Sequence, residues 1–357
     1  MKILLLRLRL IGDVMFTTPL IRALRRTYPD AHLAYLVEPI AAPVVVNNPH
    51  LDEMIVAPKR SGVRRVLDDL ALARRLRVAR FDLAIDLHGG PRSAWFAWAS
   101  GARERIGYDI EGRRWMYTRV AHRSRDLLPR HSVLNQWDLL EAIPDWPGQS
   151  PTPGGDPVEM ALEPSADARM SARLLEAGVG DTDHLIVVHV SAGNPFRRWP
   201  EASFVDLVVR LVAKDGRRRL VLSSGPSDRH AASRIAARAR HELGGGAAGR
   251  IIELGEFDLQ ELRALIGRSR LFVGGDTGPL HIAAATATPI VGIFGPTLPA
   301  RSAPWRPGEA HTISVELTDL PCRPCNQRVC TPGDFRCLTT LTPDSVLRAA
   351  ERALAPL

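Results

Sequence analysis

The chain has 357 residues, 45% hydrophobic and 24% charged, a globular balance at a length that implies two domains rather than one core. Its formal net charge of +8 comes almost wholly from arginine and sets a pI near 9.9. That excess favours anionic partners such as nucleic acid, nucleotide or phosphorylated lipid, although a GC-rich genome would give the same arginine bias. The opening MKILLLRLRLIGDV is interrupted by Arg7 and Arg9 and lacks a small-residue cleavage site, so it reads as a buried first strand and not as a signal peptide. No stretch approaches the roughly 18 uninterrupted apolar residues of a membrane span.

In chain order, strands are expected at 2–8, 32–37, 53–57, 81–87 and 104–109, with helices at about 17–28, 63–77 and 92–100. Residues 144–158, PDWPGQSPTPGGDPV, have no apolar period and read as a linker. The alternation then resumes. Strands are expected at 185–190, 219–224, 250–254, 271–275, 289–294 and 311–317. The helices between and after them are placed at about 200–214, 228–241, 258–268, 279–287 and 343–354, and the last of these could cross back to the first half. Alternation of this kind implies α/β architecture: two Rossmann-like domains, 1–150 and 151–357, with parallel sheets covered on both faces and facing a central cleft. Ligands in such sheets bind at the carboxyl ends of the strands.

The strand-end loops carry the chemistry. In GGDTGPLHIAAA, Pro279 at the first helical position makes Gly278 the N-cap. The N–H groups of Leu280 and His281 then stay open to an anion. Asp276 and Thr277 would orient the turn or meet sugar hydroxyls, and His281 would donate to a phosphate oxygen. An ordinary junction with Asp276 and Thr277 as caps and His281 packed fits the same letters. In RLIGDVMFTTP, Gly12 permits a tight turn and Asp13 stands where a general base would sit; a capping aspartate is the plain alternative. In VSAGNPFRRWP, Ser191 precedes Arg197 and Arg198, whose guanidinium groups suit a diphosphate. In SSGPSDRH, Ser224 and Gly225 offer a further phosphate or ribose contact, and in DLHGGPRS, His88 and Arg92 share the edge of the first sheet. All four cysteines fall in Cys322, Cys325, Cys330 and Cys337, spaced C-x2-C-x4-C-x6-C. They could hold a structural zinc ion tetrahedrally or stand as free thiols or disulfides. Basic residues from Lys59 to Arg80 flank an amphipathic pattern and could meet anionic lipid or simply be solvated.

Together these motifs resemble the ADP-heptose:lipopolysaccharide heptosyltransferases, glycosyltransferase family nine. The resemblance rests on LLLRLRLIGDVMFTTPLIRALRRTYPDAHLAYLVEP, RRWPEASF, VGGDTGPLHIAAATATPIVGIFGPTLP and LTPDSVLRAAERAL, in that order. It implies a GT-B fold and an inverting transfer of heptose from ADP-heptose to a lipopolysaccharide inner-core acceptor, with no cofactor or catalytic metal required. It further implies a lipid-linked anionic acceptor on the first domain, including Gly12, Thr17, His88 and Arg92, and a nucleotide-sugar donor on the second. Asp13 matches the proposed base, and Asp276, Thr277, Gly278 and His281 match the donor turn, with Pro279 and Leu280 inside it. Arg197 stands where many members carry lysine, which keeps the charge and changes the geometry. The protein would then be cytoplasmic and peripheral at the inner membrane, with no nucleic-acid partner. A related transferase using another nucleotide sugar or glycan acceptor fits the same motifs, and a sugar-nucleotide epimerase on this fold is a more distant enzyme reading. A basic, zinc-containing nucleic-acid-binding module is the non-catalytic alternative. It is disfavoured by an aromatic content of 6% without interleaving among the basic residues.

Overall fold

The computed structural model describes all residues except 123–128, 148, 309–311 and 356–357. His311 of the last expected strand and Gly148 of the expected linker lie outside the described residues. The chain forms two compact units, Met1–Ala161 and Leu162–Leu357.

The first unit holds a six-stranded parallel sheet of β1 (Lys2–Leu6), β2 (His32–Val37), β3 (Glu53–Val56), β4 (Leu83–Asp86), β5 (Glu104–Tyr108) and β6 (Arg119–Ala121). Their order is β3-β2-β1-β4-β5-β6, and all neighbouring pairs are parallel. Ile3, Leu4, Leu5 and Leu6 are fully buried. Helices cover both faces of a parallel sheet, which is why β1 is a continuous apolar run rather than an alternating one. The second unit repeats the plan with β7 (His184–His189), β8 (Arg218–Ser223), β9 (Ile251–Ile252), β10 (Leu271–Gly275), β11 (Ile290–Phe294) and β12 (Thr312–Glu316), ordered β12-β11-β10-β7-β8-β9. In both sheets the winding reverses between the two central strands, β1 and β4 in one and β7 and β10 in the other. The loops after these strands leave in opposite directions and open a crevice at the carboxyl edge, where ligands bind in such sheets.

Among the longer helices, Ser132–Glu141 and Pro164–Glu176 stand where none was expected. Each buries apolar residues at helical spacing: Val133, Trp137 and Leu140 in one, Ala166, Met170 and Leu174 in the other. The Pro/Gly stretch ends packed on the first unit. Arg26 holds Asp156 at 3.1 Å, Arg22 pairs with Glu159, and the Glu159 N–H donates to Thr18 Oγ1 at 2.9 Å. The final helix, Pro343–Leu354, packs on the second unit's own sheet and on the helix Glu201–Lys214. Arg218 fixes it through Glu351 at 2.7 Å, and the Trp199 indole donates to the Leu341 carbonyl at 3.0 Å just before it.

Candidate functional site

In the first unit, Asp13 lies in the first turn of a five-residue helix, Ile11–Met15. This short helix precedes the expected one, which runs Thr18–Thr27 with Pro19 in its first turn, and Gly12 is a helical residue rather than a sharp-turn one. Arg7, one residue beyond β1, is buried and binds Asp13 Oδ2 at 2.5 Å. Its other amino group donates to the Leu87 carbonyl at 2.5 Å. A buried arginine must find partners to be tolerated there. Arg7 therefore ties the loops after β1 and β4 together and fixes the carboxylate. The Asp13 side chain is 35% exposed, and among the described residues nothing hydrogen-bonds its Oδ1.

His88 sits on the loop after β4. Asp86, fully buried, builds that loop. It accepts from the His88 and Gly89 N–H groups at 2.9 Å each, from Ser93 Oγ at 3.0 Å and from the Tyr117 hydroxyl at 2.6 Å. Burial still pushes the Asp86 carboxyl above its usual range, against these four donors. The His88 ring bonds the Arg9 carbonyl through Nδ1 at 3.1 Å. Burial first, and the Arg7 charge second, lower its pKa to about 4, so it is a neutral imidazole at neutral pH.

Two other residues expected to meet an acceptor are committed inside the protein. Thr17 is fully buried, with its hydroxyl on the Val14 carbonyl at 2.6 Å and against the Tyr35 hydroxyl at 2.8 Å. It supports the Asp13 helix from behind. Arg92 is held by Glu38 at 2.9 Å, Asp69 at 2.6 Å and the Pro58 carbonyl at 2.7 Å. Its guanidinium is a hub for the neighbouring loops.

In the second unit, the helix after β10 runs Gly278–Ala284 with Thr277 as N-cap, one residue earlier than expected. Gly278 and Pro279 are its first two residues, and Leu280 donates back to the Thr277 carbonyl at 3.1 Å. No side chain caps the end, since Thr277 turns its hydroxyl to the Gly275 carbonyl at 3.3 Å. Asp276 is only 3% exposed. Its Oδ2 accepts from Thr297 Oγ1 at 2.6 Å and meets Arg197 at 3.3 Å, and Oδ1 faces His281 Nε2 at 3.4 Å. Burial works to raise its pKa, yet the bond and charge of His281, the Arg197 charge and the Thr297 bond together bring it below the ordinary value. Asp276 is therefore an orienting carboxylate. His281, itself buried, is its partner and not an open phosphate donor.

Arg197 stays part-exposed and is positioned from two sides. Its Nη1 donates to the Asp276 carbonyl at 2.9 Å, and its Nε donates to Gln327 Oε1 at 2.7 Å. The same Oε1 takes Asn194 Nδ2 at 2.9 Å. The loops after β7 and β8 meet at buried Asp228, which accepts from Ser191 Oγ at 2.5 Å and pairs with Arg198 at 3.1 Å. Ser191 and Arg198 thus brace the loop that carries Arg197. Ser224 and Gly225 line a cavity of about 300 Å³ whose far wall is Leu254, Gly255, Glu256 and Phe257 after β9. This is the lower end of ligand-pocket size. Arg7, Asp228, Gln327 and the 254–257 loop are absent from the sequence-based site. An arginine in an apolar strand was the available signal for the first, and adjacency of the β8 and β9 loops was the signal for the last.

The four cysteines are free thiols. They line one cavity of about 30 Å³ with Phe196, Phe335 and Arg323. Burial pushes the Cys337 thiol up to about 11, and among the described residues no three His, Cys, Asp or Glu are arranged to hold a metal ion. The four thiols share one pocket, and a zinc site at them is not shown.

A family model described as glycosyltransferase family 9 (heptosyltransferase) matches residues 70–334, a span that holds the second-unit loops and leaves Asp13 outside. Lipopolysaccharide heptosyltransferase 3 of Escherichia coli is 27% identical over 88% of this chain and 90% of its own length. A glycosyl transferase family 9 structure from Veillonella parvula superposes with a TM-score of 0.84 at 24% identity, covering 99% of this chain and 97% of that one. The E. coli ADP-heptose lps heptosyltransferase II gives 0.76 at 22%, covering 99% and 98%. Both structures share the GT-B plan of two parallel-sheet units.

Proposed function

The chain belongs to glycosyltransferase family 9, and from that premise we propose that it transfers heptose from ADP-heptose to a lipopolysaccharide inner-core acceptor, with inversion and without a catalytic metal. Family membership makes it an enzyme and displaces the non-catalytic reading. The observation that carries the proposal is the Arg7–Asp13 arrangement, a part-exposed carboxylate anchored through one oxygen with the other open.

The acceptor hydroxyl loses its proton to Asp13 as its oxygen attacks the anomeric carbon. The bond from that carbon to the diphosphate oxygen breaks with its electron pair going to the diphosphate. Arg197, set by Asp276 and Gln327, meets the charge that develops there. The cavity beside Ser224 and Gly225 takes the nucleoside, with Gly255 and Phe257 as its wall. His88, neutral and next to Arg7, accepts or donates one hydrogen bond to the acceptor sugar. The acceptor's lipid anchor places the enzyme at the cytoplasmic face of the inner membrane. A related nucleotide sugar in place of ADP-heptose is the second reading.

A thermal-shift panel of ADP, UDP and GDP, followed by transfer assays with the matching sugar nucleotides, tests the proposal. ADP alone should raise Tm, and ADP-heptose should be consumed only with acceptor present. A preference for UDP or GDP overturns the donor assignment.

A further inference from the structure

The helix Gly62–Ala79 has two apolar faces. One, formed by Leu72, Ala73 and Leu76, is buried in the first unit's core. The other carries Val63, Val66, Leu67 and Leu70, at i, i+3, i+4 and i+7, and points to solvent. Val63 is 75% exposed and Leu67 60%. At about 100° per residue the centres of the two faces lie roughly 120° apart, with Leu72 directly across the helix from Val63. The helix thus needs only its second half to build the fold, and the first half displays a stripe that the core does not use. Exposed apolar residues gathered in one stripe mark an interaction surface.

The surroundings of the stripe define its partner. Further along the same face come Arg74, Arg77 and Val78, all exposed. Among the described residues, no ion pair engages Arg64, Arg74 or Arg77. The two acids of this helix, Asp68 and Asp69, stand off the stripe and are already paired, Asp68 with Arg60 at 3.4 Å and Asp69 with Arg92 at 2.6 Å. Arg77 lies over Gly101, where an added Cβ would be 3.1 Å from its Nη1. Gly101 donates its N–H to the Trp98 carbonyl at 3.1 Å. Trp98 in turn packs edge-to-face on Trp115 with ring centroids 5.9 Å apart, and both rings are exposed. The surface is thus an apolar stripe, then unpaired arginines, then an exposed tryptophan pair, with no acid on the stripe. Apolar side chains enter the acyl boundary, arginines reach anionic headgroups, and tryptophan rings settle at the headgroup level.

We propose that this face, from Val63 to Leu70 through Arg74 and Arg77 to Trp98 and Trp115, docks the first unit on an anionic lipid bilayer. The proposed lipid-linked acceptor supplies a reason for such docking, but the surface itself is read without reference to donor or acceptor.

Flotation of the full chain with vesicles tests the docking directly. Vesicles of phosphatidylethanolamine and phosphatidylglycerol should carry the protein, vesicles of phosphatidylcholine alone should not, and binding should weaken as salt rises. Leu67→Asp with Leu70→Asp should reduce binding by about tenfold or more, and Arg74→Glu with Arg77→Glu should do so at low salt. All four positions are exposed, so the melting temperature should stay at the wild-type value. Transfer to acceptor sugar freed of its lipid should also be unchanged, which separates this proposal from the catalytic one. Wild-type binding that ignores lipid charge, or double variants that bind like wild type, would overturn the proposal. So would loss of a dimer in sedimentation with vesicle binding intact, which would make the stripe a contact between two copies.

Discussion

Two strand ends in this protein look alike as letters and differ as chemistry. After β1 comes Gly12-Asp13 and then a proline-bearing helix; after β10 comes Gly275-Asp276 and then another. Asp13 meets a single guanidinium and is 35% exposed. Asp276 is sealed in and shared by Arg197, His281 and Thr297. The first is open to solvent, and the proposed transfer uses it as the base. The second cannot reach a ligand, and its work is to aim Arg197. The difference lies in what surrounds each turn: a buried arginine behind Asp13 leaves its front open, whereas the 295–297 loop after β11 closes over Asp276.

The comparison can be broken most sharply at Asp13. Asp13→Asn should cut turnover by about 10²–10⁴ while ADP-induced stabilisation and the urea midpoint stay near wild type. Full activity in that variant would move the base elsewhere. Asp276→Ala should do the reverse, losing about 3 kcal/mol of stability through uncompensated buried partners and weakening ADP binding, as read by urea denaturation and calorimetry. The Asp276 pKa is depressed in the fold, below 3.8. Its contribution is therefore complete above that ordinary value, shrinks as pH drops below it, and is gone once pH passes the depressed one. The gap between wild type and Asp276→Ala should close over that acid window. Arg197→Lys keeps the charge but loses the fork that joins Gln327 to the Asp276 carbonyl, so ADP affinity should fall about tenfold with little change in stability.

The last effect, at His88, is confined to acid pH. Its pKa of about 4 in the fold lies under the ordinary 6.5, so the unfolded chain takes up a proton first. Its share of stability is lost as pH falls from 6.5 to about 4, and it is constant on either side. His88→Gln should flatten the urea-midpoint profile in that interval alone.

Most of the fold was legible because the central strands are apolar runs buried on both faces, and β1, β2, β7 and β10 announce themselves that way. β6 is an edge strand of three residues, too short to carry a period, and β9, expected over 250–254, is trimmed to Ile251–Ile252 at the opposite edge of its own sheet. The helix Pro164–Glu176 shows only every fourth residue to the core, so its polar letters hid it. In the site, the strand-end positions were legible from topology, since Asp13, His88, Arg197 and Asp276 all follow the strands where the winding reverses. Partners were not. Ser191 meets Asp228 across 37 residues and Arg197 meets Gln327 across 130, separations that local pattern cannot bridge. For the same reason Thr17, Arg92, Arg198 and His281 looked available as letters and proved engaged in the structure.

The final helix also bears on how the second unit is made. Val346, Leu347, Ala349, Ala350 and Ala353 complete the layer over β10, β11 and β12 and against the helix Glu201–Lys214. On a ribosome, β7 emerges long before the residues that cover its sheet, and β7 must also wait for β10 to pair with it. The first unit needs nothing synthesised after Ala161 to close its own sheet. Vectorial synthesis therefore lets the first unit mature early, while the second unit stays unfinished until residues 343–354 have left the exit tunnel.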